Sequence, residues 1–266
     1  MSGCVHKYAV LYAVDGSSRS REWLDVSLDS LDRFLNRNID VFVASDVRFD
    51  RNGCKWIDAR RYIKKYGLDR IRSVKKLGMT PSPMQMFRIC AHEIDELKGA
   101  NKLLYLDIDT EIISGEINRV FEIDVNSDVA GLYENSQHGN DSTRIMLGSR
   151  ELLNEMDGRT VKRLKNGGYF NSGVMLMNLD EMRERLKGWG GKISRVVDIA
   201  VRHHRIVVDQ DIINVEWTAD PLPKRFNVIR GVVNDCNDPV ILHYAGTEKY
   251  KMSEYPPRWD SWPIVD

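Results

Sequence analysis

Two aspartates, Asp107 and Asp109, stand at the end of an apolar run that reads LLYLDIDTEI from Leu103 to Ile112. Alternate residues of a strand point to the same side, so we expect the two carboxylates to converge and Ile108 to face the core. Converging carboxylates repel each other unless a cation lies between them, and oxygen ligands favour Mg²⁺ or Mn²⁺. The run therefore predicts a divalent metal site with open positions for a diphosphate, or else a strand end whose aspartates cap backbone amides.

An aspartyl-phosphate phosphatase is a second enzyme class to consider, because its hydrophobic strand is followed by Asp-x-Asp-x-Thr. Here Thr110 directly follows the second aspartate instead of standing two residues later. A strand–helix–strand unit also precedes the run, whereas the phosphatase motif normally follows the first strand. Both differences disfavour phosphatase chemistry.

The first fifty residues predict the fold class. The runs Tyr8–Val14 (YAVLYAV) and Asp40–Ser45 (DVFVAS) are typical of buried strands. Between them leucines recur on one face of a predicted helix, at Leu24, Leu28, Leu31 and Leu35. This order indicates an α/β fold with a mostly parallel central sheet flanked by helices, and ligands gather outside the carboxyl ends of such strands.

Further elements are predicted along the chain. Pro83 suits a first helical turn and Gly99 a helix end, so we expect one helix from about Pro83 to Lys98. Strands are predicted at Lys102–Leu106, Val129–Tyr133 and Val174–Asn178, and helices at Asp180–Leu186 and Ile193–Arg202. Beyond about Pro221 short apolar runs such as Val240–Leu242 predict a loop-rich carboxyl end. No repeat or linker divides the sequence, so we expect a single domain over residues 1–266.

Composition excludes some classes of partner. The chain has 266 residues, of which 42% are hydrophobic and 29% charged, as in soluble globular proteins. The chain has 39 basic residues (Lys and Arg) and 39 acidic residues (Asp and Glu), so no net positive charge favours binding of nucleic acid. Four cysteines without metal-like spacing favour a reducing compartment, and the apolar run near the start is too short to span a membrane. We expect a cytoplasmic protein with no transmembrane segment and no nucleic-acid partner.

Five motifs, in the same order, resemble those of glycosyltransferase family 8, whose members have the GT-A fold. They are Phe87-Arg88, YLDID at Tyr105–Asp109, GYFNSGVMLMNL at Gly168–Leu179, VDQDIIN at Val208–Asn214 and HYAGTEKYK at His243–Lys251. The resemblance implies a metal-dependent transferase that retains the anomeric configuration. Its implied donor is a nucleotide-diphosphate sugar, a UDP-hexose such as UDP-galactose or UDP-glucose. Its implied acceptor is a glycan or another hydroxyl compound.

The resemblance also implies a role for each matched residue. The metal, Mn²⁺ or Mg²⁺, would be bound by Asp107, Asp109 and His243, and the diphosphate by Gly246 and Lys249. Nucleotide contacts would be made by Ala13, Asp15, Ser17 and Ile108, and donor-sugar contacts by Arg88 and Glu134. The implied catalytic residues are Asn171, Asp209 and Gln210. About residues 1–110 would bind the nucleotide, and about residues 111–266 would bind the donor sugar and the acceptor.

The sequence departs from the family pattern at three places near the donor. Ser17 and Ser18 replace the family's Asn and stacking Tyr, and since a hydroxyl cannot stack, we expect base affinity to be weaker or supplied elsewhere. Glu134 stands where an aspartate is expected, and a longer acid would alter which sugar hydroxyls are accepted. Tyr250-Lys251 replaces Pro-Trp, which offers the phosphates a second cation.

Structural roles are open for several of these residues. Asn171 either binds the sugar or stabilises a turn before the strand at Val174. Taken alone, Asp209 reads as a helix N-cap and His243 as a core histidine, although the Gly and Lys that follow His243 favour a ligand role. Gln210 is a poor nucleophile, so we expect same-face attack rather than a covalent intermediate. For the whole chain, the alternative is a non-catalytic nucleotide-sugar- or glycan-binding relative.

The stretch Arg60–Lys76 is rich in lysine and arginine. A solvated helix face and loop would explain it. An anionic acceptor, a membrane surface or a protein partner would also fit such a stretch.

Overall fold

The computed structural model describes residues 8–73, 82–134, 154, 156–187, 189–202, 208–230 and 236–246. The strands in these ranges are β1 (Tyr8–Val14), β2 (Asp40–Ser45), β3 (Cys54–Asp58), β4 (Lys102–Leu106), β5 (Thr110–Ile112), β6 (Val129–Tyr133), β7 (Phe170–Asn178), β8 (Ala219–Pro221), β9 (Val228–Ile229) and β10 (Ile241–His243). The α-helices are α1 (Ser18–Phe34), α2 (Ala59–Tyr66), α3 (Pro83–Met86), α4 (Gly158–Lys165), α5 (Leu179–Arg185), α6 (Trp189–Arg202) and α7 (Val208–Glu216). Short 3₁₀ helices cover Leu68–Ser73, Phe87–Glu93, Asp95–Leu97, Gly115–Glu122 and Lys224–Phe226.

Within the described ranges the main sheet has seven strands in the order β3-β2-β1-β4-β7-β6-β8. Strands β3, β2, β1 and β4 run parallel, β7 is antiparallel to both β4 and β6, and β8 is parallel to β6. A core cluster covers each face of this sheet, one containing Leu24 and Leu28 of α1 and the other containing Phe87 and Ile213. The predicted α/β architecture with a mostly parallel sheet is confirmed.

A second sheet, in the order β5-β10-β9, carries the end of the described chain back to β4. Strand β10 pairs antiparallel with β5, so that His243 lies opposite Thr110. Because β5 follows the turn after β4, this pairing brings His243 to the carboxyl end of β4. The predicted loop-rich carboxyl end beyond Pro221 is interrupted by two short strands, at residues 228–229 and 241–243.

The single helix predicted over Pro83–Lys98 is wrong. Only α3 is α-helical, and two 3₁₀ segments follow it. All six residues from Phe87 to His92 are buried, so the segment lacks the solvent face of an amphipathic α-helix. Ile94, with extended backbone (φ −76°, ψ 122°), separates the two 3₁₀ segments. Packing on both sides thus overrides the local helical signal.

Two predicted boundaries shift. Strand β7 begins at Phe170 rather than Val174, and α6 begins at Trp189 rather than Ile193. Asn171 therefore lies in a strand rather than in a turn before it, and its side chain accepts a hydrogen bond from the amide of Gly173 within that strand. Among the described residues, no helix is long and apolar enough to cross a membrane.

Candidate active site

Asp107 and Asp109 flank a turn that links β4 to β5. They converge as predicted, but through this turn rather than through the alternation of an extended strand. One ligand atom each from Asp107, Asp109 and His243 lies within 4.8 Å of the others. His243 Nε2 is 3.4 Å from Asp109 Oδ1 and 4.0 Å from Asp107 Oδ2. Ile108, between the aspartates, is half-buried against two hydrophobic clusters.

Backbone hydrogen bonds hold this cluster on three strands. The amide of Asp107 donates to the carbonyl of Gly173 at 2.7 Å, which ties the turn to β7. The amide of Tyr244 donates to the carbonyl of Asp109 at 2.8 Å, which ties it to β10. The three side chains are therefore fixed by the sheets rather than by a mobile loop.

Gly173 has no side chain, and this allows the side chains of His243 and Asp107 to lie close together. A Cβ on Gly173 would lie 2.2 Å from His243 Cε1 and 2.8 Å from Asp107 Oδ2. Real Cβ atoms do not approach so closely, so any larger residue would displace the imidazole or the carboxylate. The glycine in the GYFNSGV motif thus has a physical explanation in the cluster itself.

The charged groups of the cluster shift one another's pKa values. Burial raises the pKa of Asp107, and the charge of Asp109 adds to this, whereas the Arg88 guanidinium opposes it. Burial alone would lower the pKa of His243, but the hydrogen bond and charge of Asp109 and the charge of Asp107 raise it above its ordinary value. Two carboxylates and an imidazole in this arrangement form a donor set that suits a divalent cation.

Arg88 lies beneath the cluster and is almost completely buried. One guanidinium nitrogen donates to Asp107 Oδ1 at 2.7 Å and pairs with Asp209 Oδ2 at 3.1 Å. The other donates to the carbonyl of Ser172 at 2.6 Å, and the guanidinium stacks over the Tyr105 ring, 4.5 Å from its centre. Arg88 thus links Asp107 of the cluster to Asp209 of α7. Asp209 lies within α7 and is engaged as the partner of Arg88.

A second polar network surrounds Asn171 and Gln210. Asn171 Nδ2 lies 3.4 Å from Glu134 Oε1, and Gln210 Nε2 donates to the same oxygen at 3.1 Å. Gln210 Oε1 accepts from the amide of Ser172 at 3.0 Å. Burial raises the pKa of the Glu134 carboxyl, and hydrogen bonds from Asn171 and Gln210 oppose that shift. The structure therefore brings the predicted sugar-side residues together in one network.

Asn227 joins the two networks and was missed by sequence reasoning. It is fully buried, with Oδ1 lying 3.1 Å from His243 Nδ1 and Nδ2 donating to Asn171 Oδ1 at 3.0 Å. Its surrounding sequence, KRFNVIR, shows no periodicity or spacing that marks a site. A second residue whose role was not foreseen, Asn214, exchanges hydrogen bonds of 2.8 Å with both backbone groups of Phe170.

The predicted nucleotide-binding residues lie at the carboxyl end of β1. Asp15 Oδ1 accepts from the amide of Ser17 at 3.1 Å, and the Ser17 side chain accepts from the amide of Ser20 as the N-cap of α1. Burial opposes ionisation of Asp15, but hydrogen bonds from Ser17 and Ser20 lower its pKa. Ala13 is half-buried in β1. The side chains of Asp15 and Ser17 therefore both contact the start of α1.

The residues predicted to bind the diphosphate are only partly described. Gly246 has a positive φ of 67°, a conformation that favours glycine. Lys249 and Lys251 lie outside the described residues.

Residues 22–250 match the model of a family described as Glycosyl transferase family 8. The chain belongs to this family. No curated protein sequence matches it. As a family 8 glycosyltransferase it is an enzyme of sugar transfer, and the resemblance seen in the five motifs is confirmed.

Solved structures show the same fold. Galactosyltransferase LgtC, in complex with donor and acceptor sugar analogues, matches with a TM-score of 0.63 and 16% identity, over 95% of this chain and 99% of that one. Mouse xyloside xylosyltransferase 1 matches with a TM-score of 0.54 and 16% identity, over 91% and 98%. Glycosyltransferase GlyE of Streptococcus pneumoniae TIGR4 matches with a TM-score of 0.54 and 18% identity, over 96% and 62%. These likenesses establish the GT-A fold.

The phosphatase interpretation has no support in this family 8 enzyme. Thr110 is fully buried, and its hydroxyl donates to the carbonyl of Asp107 at 2.8 Å. It therefore stabilises the turn between the two aspartates instead of facing a substrate.

Four basic residues of the stretch Arg60–Lys76 pair with the enzyme's own acids. The pairs are Arg60 with Asp58, Arg61 with Glu96, Lys65 with Glu93 and Arg70 with Asp198. Lys75 and Lys76 lie outside the described residues. The contacts favour a solvated helix face, and they lend no support to a docking surface for a partner.

Proposed function

We propose that this family 8 glycosyltransferase transfers a hexose from a UDP-sugar, such as UDP-galactose or UDP-glucose, to a hydroxyl of a glycan or another acceptor. The transfer uses Mn²⁺, or Mg²⁺, and retains the anomeric configuration. The observation that carries the proposal is the meeting of Asp107, Asp109 and His243, with ligand atoms within 4.8 Å of one another.

The donor set fits a divalent cation in both its chemistry and its spacing. Two carboxylates and an imidazole are ligands that Mn²⁺ accepts, and the absence of a side chain at Gly173 lets His243 and Asp107 lie close to each other. A bound ion would supply a Lewis acid for the charge that develops on the leaving diphosphate. Gly246 and Lys249 would hold that diphosphate, and a fixed lysine charge of this kind typically contributes about 10²–10³ in rate.

The nucleoside would lie at the carboxyl end of β1, against Ala13, Asp15 and Ile108. In this arrangement residues 1–110 form the nucleotide-binding half of the domain, and residues 111–266 form the donor-sugar and acceptor half. The side chain of Ser17 is engaged as a helix cap, so its contribution to nucleotide binding would come from its backbone.

The donor sugar would lie between the metal site and the network of Glu134, Asn171 and Gln210. Asp209 is charge-paired with Arg88, which weakens it as a nucleophile. Gln210 is an uncharged amide whose oxygen already accepts from the Ser172 amide. Both facts favour attack of the acceptor on the same face from which the diphosphate leaves. Trapping of a glycosyl-enzyme on Asp209 would contradict this part of the proposal.

Calorimetric titration with UDP tests the proposal. We expect UDP to bind in the presence of Mn²⁺ and to lose affinity in EDTA. Asp109→Asn should weaken the metal-dependent binding by more than the roughly 10–100-fold typical of residues that only support a ligand. Asp50→Asn is the matched control, because Asp50 is an exposed carboxylate that pairs with Arg48 and lies outside the site.

The remaining outcomes separate the alternatives. No nucleotide binding with any metal would overturn the proposal. Tighter binding of another nucleotide would show that Ser17 and Ser18 mark a change of base specificity. Metal-dependent UDP binding without sugar release or transfer from any UDP-hexose would indicate a non-catalytic relative.

A further inference from the structure

A chain of side-chain amides connects His243 to the backbone of β7. Gly173 N donates to Asn171 Oδ1 at 3.0 Å, Asn227 Nδ2 donates to the same oxygen at 3.0 Å, and Asn227 Oδ1 lies 3.1 Å from His243 Nδ1. Asn171, Asn227 and His243 are all buried. Because buried polar groups must be paired, the direction of each hydrogen bond in this chain is constrained by the next.

The first link fixes the amide of Asn171. A backbone N–H can only donate, so the group that faces the amide of Gly173 must be the oxygen of Asn171. The opposite orientation would place two donors face to face. It would also turn the Asn171 oxygen toward the carboxylate of Glu134, which now lies 3.4 Å from Nδ2.

The second link fixes the amide of Asn227. The Asn171 oxygen is an acceptor, so Asn227 must present its NH₂ group to it. The carbonyl oxygen of Asn227 is thereby left facing His243. An amide oxygen can only accept, so the proton of the imidazole must reside on Nδ1.

The third link concerns the opposite nitrogen of the ring. With Nδ1 protonated, neutral His243 carries its lone pair on Nε2, which points to Asp109 and Asp107 at 3.4 and 4.0 Å. Metal-binding histidines need such a partner on the second nitrogen to fix tautomer and ring orientation.

We propose that Asn227 is a positioning residue that fixes His243 as the Nδ1–H tautomer and so presents Nε2 to the divalent cation. The backbone N–H of Gly173 fixes the orientation of the Asn171 amide, which fixes the orientation of the Asn227 amide and thereby the tautomer of His243. The same amide chain holds Asn171 toward Glu134 and Gln210, so one buried residue orients both the metal ligand and the sugar-side network. This inference rests on the proposed function for the identity of the cation, but not for the tautomer.

The tautomer is measured directly by ¹⁵N NMR of the histidine rings, in metal-free protein at a pH above the pKa of His243. A His243→Gln variant assigns the signal. We expect a protonated Nδ1 and an unprotonated Nε2 in the native chain. In Asn227→Leu we expect a mixture of tautomers, and a loss of Mn²⁺ affinity of about 10–100-fold, as is typical when a residue supporting a metal ligand is removed.

Asn227→Asp and Asn118→Leu complete the design. A carboxylate at position 227 can still accept from Nδ1–H but cannot donate to Asn171, so it should keep the tautomer and recover most of the Mn²⁺ affinity. Asn118 also makes several amide hydrogen bonds, with Asn36 and with backbone carbonyls of Phe34 and Gly115, and none of these partners belongs to the cluster. Asn118→Leu should therefore change neither the tautomer of His243 nor the Mn²⁺ affinity.

Two results would overturn the inference. One is a native His243 that carries its proton on Nε2, a result that needs no variant to fold. The other is a folded Asn227→Leu protein with unchanged tautomer and unchanged Mn²⁺ affinity. If the native protein binds no metal but shows the Nδ1–H tautomer, the proposed function fails while the role of Asn227 in setting the tautomer stands.

Discussion

At the scale of single residues, Gly173 is the most sharply constrained position in the cluster. In Gly173→Ala the new methyl group would lie 2.2 Å from His243 Cε1 and 2.7 Å from His243 Nε2. The imidazole must move, so we expect Mn²⁺ affinity to fall and overpacking to cost about 1–3 kcal/mol of unfolding free energy. Calorimetry and denaturant titration measure both. Gly158→Ala is the matched control, because nothing lies within 4 Å of its added Cβ, and it should leave Mn²⁺ affinity intact.

These residues also show which parts of the site the sequence predicts and which it does not. Asp107 and Asp109 were predicted from the spacing of their carboxylates and His243 from the resemblance of its segment to the family motif, and the structure brings the three together. Asn227 was not found, because its importance lies in a contact with His243 that is created by the pairing of β10 with β5 and β9. An asparagine within KRFNVIR carries no local sign of that contact.

At the scale of elements, the start of α1 shows how one residue can serve the fold instead of the ligand. Ser17 has extended backbone and accepts from the amide of Ser20 as the N-cap. We therefore expect Ser17→Ala to lower the unfolding free energy by about 1 kcal/mol, measured by denaturant titration. Ser17→Asn restores the family's residue and caps equally well, so its stability should stay near native. Equal loss of stability in both variants would contradict the capping role.

Element-level prediction succeeded for α1, whose leucines repeat on one buried face, and for β1, β2 and β4, whose continuous apolar runs are buried on both faces of the sheet. The segment Phe87–Glu93 failed because it is covered on all sides and carries the Arg88 ion pairs. A run of buried residues has no helical period to detect, so its 3₁₀ geometry follows from tertiary packing alone.

At the scale of the whole molecule, His92 makes stability depend on pH. Its burial, reinforced by the charge of Arg183, lowers the pKa from 6.5 to about 4. The unfolded chain therefore binds a proton in a range where the native chain does not. Native stability from this group is complete above pH 6.5 and is lost as the pH falls from 6.5 toward 4.

The shift corresponds to about 3–4 kcal/mol, since one pKa unit is about 1.4 kcal/mol. Unfolding free energies measured by denaturant titration across that range should fall less steeply in His92→Gln than in the native protein. Met86→Leu is the control, because it lies in the adjoining core, conserves volume and adds no titrating group, so its pH slope should match the native one. Parallel slopes for native protein and His92→Gln would mean that His92 protonates without unfolding the core around it. The buried 3₁₀ segment would then have to admit an imidazolium, contrary to its packing.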